Sequence, residues 1–280
     1  MPGYRFCRTD DLPLLVAAYN ACWLSHFAAD RPLDLDACKR DVRELNLWAS
    51  SCMVAMADDE LVGVLLGAKR DDGSLVHRIA IKAGHTRRGH GRHLLDSLRR
   101  KVAILGPPRL LVEIPAEWTA ARRFVEQGGF AAEARYVDFV ADREPAAPGP
   151  AGGLVSEASF EELVDSSPDL AAATGRSWQR SLQTLRNRSA ELAGLAIASD
   201  AQVEAYLLHR EGPDGTEIVA LGGPHPELLP ALVAVLYERR GGRLRIPRTS
   251  EDEIPFALLG ALGFRAAGEY IGYAADFSDL

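Results

Sequence analysis

The chain has 280 residues, enough for two domains of ordinary size that each bury their own core. Its 47% hydrophobic and 25% charged residues are typical of a globular protein and exclude collagen-like, disordered and coiled-coil readings. A net charge of -7 disfavours a nucleic-acid or anionic-membrane binder and tilts towards cationic partners such as amines.

The opening MPGYRFCRTDDL lacks the apolar core of a signal peptide, and no stretch reaches the roughly 18 apolar residues of a membrane span. A cytoplasmic protein without a membrane partner is expected. Cys7, Cys22, Cys38 and Cys52 form no C-x-x-C pair and have no His at metal spacing. They are expected to be small apolar residues in a reducing compartment, with no metal site.

Tyr4 to Cys7 reads as a short strand, and Thr9 or Asp10 can cap the helix that follows. Leu14, Leu15, Ala18 and Cys22 give that helix one apolar face, and Trp23, His26 and Phe27 end it before a turn at Arg31-Pro32. These aromatics are read as packing residues, with the lining of an acceptor pocket as the alternative. A second helix, Asp34 to Leu47, carries Leu35, Cys38, Val42 and Leu45 on one side.

Two apolar runs, Ser51 to Ala57 and Leu61 to Lys69, flank Asp58-Asp59-Glu60 as a hairpin. Val76, Ile79 and Ile81 mark a third strand, and Leu94, Leu95, Leu98, Val102 and Leu105 then recur at helical spacing. Between them stands Arg87-Arg88-Gly89-His90-Gly91-Arg92. Two glycines let the backbone approach a ligand where a helix exposes its first unpaired N–H groups, and the arginines add positive charge. This turn is a candidate phosphate cradle. It matches neither G-x-G-x-x-G nor G-x-x-x-x-G-K-S/T.

After Gly106-Pro107-Pro108, Arg109 to Ile114 reads as a strand, and Pro115-Ala116-Glu117 opens a short helix ending at Gln127-Gly128-Gly129-Phe130. A strand pair around Ala131 to Val140 closes the unit. The Pro- and Gly-rich run at 144–153 reads as a linker. The second half then lies on the first without a gap: Gly263-Phe264 falls on Gly129-Phe130, an offset of 263 − 129 = 134 that also carries Leu228, Leu229, Leu232 and Leu236 onto Leu94, Leu95, Leu98 and Val102. On that offset Leu221, Gly222 and His225 replace Arg87, Arg88 and Gly91, so the second copy is expected to lack the cradle. Glu251-Asp252-Glu253 reads as an acidic start to its last helix.

The strand, basic turn, G-x-G and amphipathic helix resemble the pyrophosphate loop of the GCN5-related N-acetyltransferase (GNAT) superfamily, Q/R-x-x-G-x-G/A, with Thr86 at the leading position. Arg8-Thr9-Asp10-Asp11-Leu12 and Ala121-Arg122-Arg123-Phe124-Val125-Glu126-Gln127-Gly128-Gly129-Phe130 are similar to that family's first and last motifs. The resemblance covers residues 3–140. It implies an α+β fold of two tandem domains, each a mixed, mostly antiparallel sheet flanked by helices: 1–143 with the acetyl-coenzyme A site, and 154–280 degenerate.

The resemblance further implies transfer of an acetyl group from acetyl-coenzyme A to a small-molecule or peptide amine. Ile79, Ala80, Ile81, Thr86, Arg87, Arg88, Gly89, His90, Gly91, Arg92, Trp118, Ala121 and Phe124 would hold the donor. His77, Glu113 and Glu117 are the candidate bases. In a regular strand His77 shares a face with Ile79 and Ile81. Val125 and Leu259 stand at the family's tyrosine position and Trp118 at its asparagine, so a standard thiolate donor is missing; Tyr136 or a residue of the other domain is the candidate substitute, or the thiolate leaves unassisted. A non-catalytic acyl-coenzyme A sensor is the alternative. The second half would cover the acceptor side, bury a sheet edge or dimerise, in a monomer or homodimer.

Overall fold

A computed structural model describes residues 2–142, 155–172 and 176–277; the linker expected at 144–153 lies outside them. The chain divides into two compact units, Met1–Glu133 together with Gly272–Leu280, and Ala134–Ile271.

In chain order the first unit holds β1 (Gly3–Phe6), α1 (Leu12–Trp23), α2 (Leu35–Leu45), β2 (Met53–Ala57), β3 (Glu60–Lys69), β4 (Ser74–Ile81), α3 (His90–Leu105), β5 (Arg109–Pro115) and α4 (Thr119–Glu126). β1 to β4 are antiparallel neighbours in sequence order. Cys7, Leu15, Ala18, Tyr19, Cys22, Cys52, Val54, Val64 and Leu66 form one core under α1, so three of the four cysteines pack there as small apolar groups. Leu94, Leu95, Leu98 and Val102 bury the inner face of α3. Each such side chain contributes roughly 1.5–3 kcal/mol of transfer free energy.

Two irregularities shape β4. Its parallel ladder with β5 stops after Ser74↔Leu110 and Leu75↔Leu111, leaving Val76 to Ile81 outside that ladder. Towards β3 the register steps from Gly67↔Val76 to Leu66↔Arg78, so His77 is the extra residue of a β-bulge. The bulge breaks the strict alternation that put His77 on the face of Ile79 and Ile81.

The strand after α4 is one long β6 (Ala131–Ala141), not a pair, and its Val137 to Ala141 pair with β11 (Leu244–Thr249) of the second unit. The first unit takes its last strand from the end of the chain, where β12 (Arg265–Asp276) finishes: Phe277 N donates to Pro108 O at 3.1 Å, and the Phe277 ring meets Phe130 edge-on. The boundaries of 1–143 and 154–280 therefore differ from the compact units at both ends. Hydrogen bonds to a non-local neighbour, not chain order, decide where a terminal strand belongs.

The second unit also holds β7 (Ser156–Ala158), α5 (Phe160–Ser166), α6 (Pro168–Ala172), α7 (Leu182–Asn187), β8 (Ala193–Ala198), β9 (Val203–Gly212), β10 (Gly215–Gly222), α8 (Leu229–Arg240) and α9 (Phe256–Ala261). Its copy of the helix-ending turn keeps the geometry of the first. Gly129 and Gly263 have φ of 87° and 86°, a conformation that favours glycine, and Phe130 N and Phe264 N bond back to Val125 O and Leu259 O. The gapless alignment fails one step earlier. β10 lies on β4 with an offset of 215 − 74 = 141, while the turn keeps 263 − 129 = 134, so the second unit is 141 − 134 = 7 residues shorter between them. The cradle residues there are missing rather than replaced.

Candidate functional site

The first unit contains a cavity of about 840 Å³ beside the free flank of β4. One end is the basic turn: Thr86, Arg87, Gly89, Gly91 and Arg92 line it, together with Ile79, Ala80 and Ile81 of β4. Gly89 is the N-cap of α3 with φ 87°, and Arg87 sits at φ 60°, a left-handed conformation that costs a non-glycine residue about 1–3 kcal/mol. A Cβ on Gly91 would make ordinary contact with the Phe124 ring at 3.5 Å, so a longer side chain there would run along the cavity wall. The first-turn N–H groups of α3 have no carbonyl within the helix to bond to.

Neighbouring elements hold this turn. Glu60 on β3 forms an ion pair with Lys82 and lies 3.1 Å from His85 Nε2, and the bond from Lys82 foremost holds its carboxyl below the usual value. Ala83 N donates to Ser25 Oγ at 3.0 Å. Arg92 reaches Gln127 O at 2.8 Å and Asp96 at 3.5 Å.

The other end is aromatic. Phe27 and Trp118 stack with centroids 5.0 Å apart, and Trp23 lies 4.7 Å from Phe27 and 5.9 Å from Trp118. Arg78 bonds the Tyr19 hydroxyl and lies over the Tyr19 and Trp23 rings at 5.0 and 5.5 Å, backing this wall from α1. Trp23, His26 and Phe27, read from sequence as packing residues, all line the cavity.

Of the residues expected to hold the donor, eleven line the cavity; Arg88 and His90 do not. His90 is buried, and its Nδ1 lies 2.7 Å from the Tyr4 hydroxyl. Burial keeps its imidazole below the ordinary value. Of the candidate bases only Glu117 reaches the cavity; His77 and Glu113 are absent from its lining. His77 is diverted by the bulge. Sequence reasoning missed His26 as a proton acceptor: its Nε2 lies 2.6 Å from Ile81 O, and donation there leaves the Nδ1 lone pair to accept a proton. Val125 is 3% exposed in the core, no tyrosine lines the cavity, and Tyr136 is a buried residue of the second unit.

The four cysteines are free and buried, with the Cys52 thiol pushed by burial up to about 12. Among the described residues no group of three His, Cys, Asp or Glu side chains is placed to hold a metal, and no helix is long and apolar enough to cross a membrane.

The model of the acetyltransferase (GNAT) family matches residues 14–130. No curated protein sequence is significantly similar to the chain. Among solved structures, a GCN5-related N-acetyltransferase from Sphaerobacter thermophilus gives a TM-score of 0.68 at 16% identity over 99% of this chain and 96% of that one. A tandem GNAT protein from the clavulanic acid biosynthesis pathway gives 0.67 at 16% over 99% of each chain. A GCN5-related N-acetyltransferase from Anabaena variabilis gives 0.63 at 11% over 99% of this chain and 73% of that one. At these identities the likeness is one of fold.

Proposed function

We propose, for a chain that belongs to the GNAT superfamily as a tandem of two such folds, that its first unit moves an acetyl group from acetyl-coenzyme A to an amine. The observation that carries this reading is one cavity joining the α3 cradle to an aromatic wall. The donor fits the residues present. Arg87, Arg92 and the α3 N-terminus offer positive charge for a pyrophosphate, and β4 beyond Leu75 lies outside the β5 ladder, free to pair with an amide-containing arm. When bound, the donor supplies an activated thioester.

The chain's own residues have three tasks. An amine is mostly protonated at neutral pH, so its proton must be taken, and Glu117 and His26 Nδ1 are the acceptors on the cavity wall. Trp23, Phe27 and Trp118 form an apolar wall that excludes water and packs against the acceptor. The departing thiolate finds no phenol, so the cradle's positive end and solvent support it.

The missing tyrosine also favours a second reading, a protein that binds acyl-coenzyme A without turning it over. Calorimetric titration of the whole chain with acetyl-coenzyme A, beside Gly91→Glu, tests the cradle. Binding at one site, lost in a variant that melts normally, is expected, and unchanged affinity would remove the assignment. Thiol release with a panel of amines then separates transferase from sensor.

A further inference from the structure

The second unit has its own cavity, about 640 Å³, within the roughly 300–1,000 Å³ of small-molecule sites. It lies beside the end of β10, the strand that corresponds to β4, but nothing there suits a pyrophosphate. A Cβ on Gly222 would meet the Tyr206 hydroxyl at 2.8 Å and Asp169 Oδ2 at 3.0 Å, and Asp169, Asp252 and Glu253 all line the cavity.

Two guanidiniums share the one carboxylate of Glu253. Glu253 is saturated by Arg180, whose Nε and Nη2 donate to it at 2.9 to 3.1 Å, and Thr249 Oγ1 adds a bond at 3.3 Å. The Arg176 side chain, 6% exposed, also lines the cavity. Its Nε is 3.3 Å from Glu253 Oε1 as an ion pair, yet among the described residues neither Nε nor Nη1 has an acceptor in hydrogen-bonding geometry. A buried guanidinium with donors to spare is costly unless something completes it. Opposite, among the described residues, Asp169 receives the Tyr206 hydroxyl at 3.0 Å, and both Asp169 and Asp252 are exposed. Leu221, Leu229, Ile254 and Leu258 supply apolar walls.

We propose that this cavity binds a small apolar α-amino acid, its carboxylate on Arg176 and its ammonium between Asp169 and Asp252. A forked guanidinium matches a carboxylate in geometry, the two aspartates repel a bare anion, and the leucine and isoleucine walls take the side chain. The site is independent of the acyl-transfer reading, because no residue is shared with the first cavity.

The test is calorimetry of the whole chain with L-leucine, 3-methylbutylamine, which lacks the carboxylate, and 4-methylpentanoate, which lacks the ammonium. One leucine per chain is expected, with both truncated probes at least tenfold weaker. Arg176→Met should weaken leucine at least tenfold in a chain that still folds, since Arg180 keeps Glu253 paired when the Arg176 contact is lost. Leu258→Trp, which fills the cavity and leaves Arg176 in place, should abolish binding by itself. No heat with leucine, binding intact in both variants, or a truncated probe binding as tightly as leucine would each overturn the proposal.

Discussion

Trp118 stacks on Phe27 with ring planes 17° apart, joining the start of α4 to the segment after α1 at one end of the cavity. Trp118 stands where the family resemblance places an asparagine, so the wall is aromatic where a polar contact is the rule. Such ring pairs are worth about 0.5–1.5 kcal/mol beyond area burial. Trp118→Ala is therefore expected to raise the acceptor KM roughly two- to tenfold in steady-state assays. Melting should hardly move, since the ring is half-buried. An unchanged KM would detach the aromatic wall from acceptor binding.

The two acceptors on the cavity wall make a paired prediction. Glu117→Gln and His26→Gln are compared in kcat, and the one serving as base should lose about 10²–10⁴-fold. His77→Ala and Glu113→Gln, outside the cavity lining, should keep near-normal turnover. If both cavity variants turn over normally, proton removal does not involve the wall residues.

Stability should depend on acid pH through His209. It is 4% exposed, and burial, reinforced by Arg240 and Arg239, pushes its imidazole down to about 4. The folded state thus resists the proton that the unfolded chain accepts near its ordinary value of about 6.5. Its neutral form is fully compatible with folding above about 6.5, and stability falls as pH drops from there towards about 4, by up to a few kcal/mol. Urea titrations of the parent and His209→Gln across that window should show a shallower pH slope in the variant. Equal slopes would mean that His209 is solvated.

Restoring the family's tyrosine at its usual position should fail. Val125 is buried, and its carbonyl caps the turn at Gly128 and Phe130. Val125→Tyr overpacks the core and is expected to cost about 1–3 kcal/mol without raising kcat. Thermal melts and turnover at saturating donor check both parts, and a gain in kcat would show that the cavity lacked only a phenol.

The elements of the first unit were legible because each obeys a local rule: apolar periodicity in α1 and α3, a hairpin at Asp58-Asp59, glycine after α4. The basic turn before α3 was legible for the same reason, since its glycines and arginines are contiguous. What escaped depends on partners distant in sequence. β6 and β12 carry similar patterns, and nothing local says which sheet each will join. The bulge at His77 reflects pairing with β3, and the role of His26 depends on the Ile81 carbonyl. The acidic run at 251–253 does not start the last helix, which begins at Phe256 with no acidic residue in its first turn; Glu251 only accepts from Phe256 N at 3.2 Å, and Glu253 is turned inward by Arg180, 73 residues away in sequence.

The exchange of terminal strands sets a schedule for the newborn chain. When residue 133 leaves the ribosome the first unit has its cradle and helices, yet the strand that finishes its sheet is still untranslated. Its β5 edge must wait until β12 is made, exposed to any passing strand. Tyr273, whose hydroxyl accepts from Arg122 at 2.9 Å and donates to Glu126 at 2.8 Å on α4, arrives only with that strand. Truncation before β12 would thus damage the first unit, and a library of fragments ending ahead of it would yield aggregates rather than a minimal folded unit.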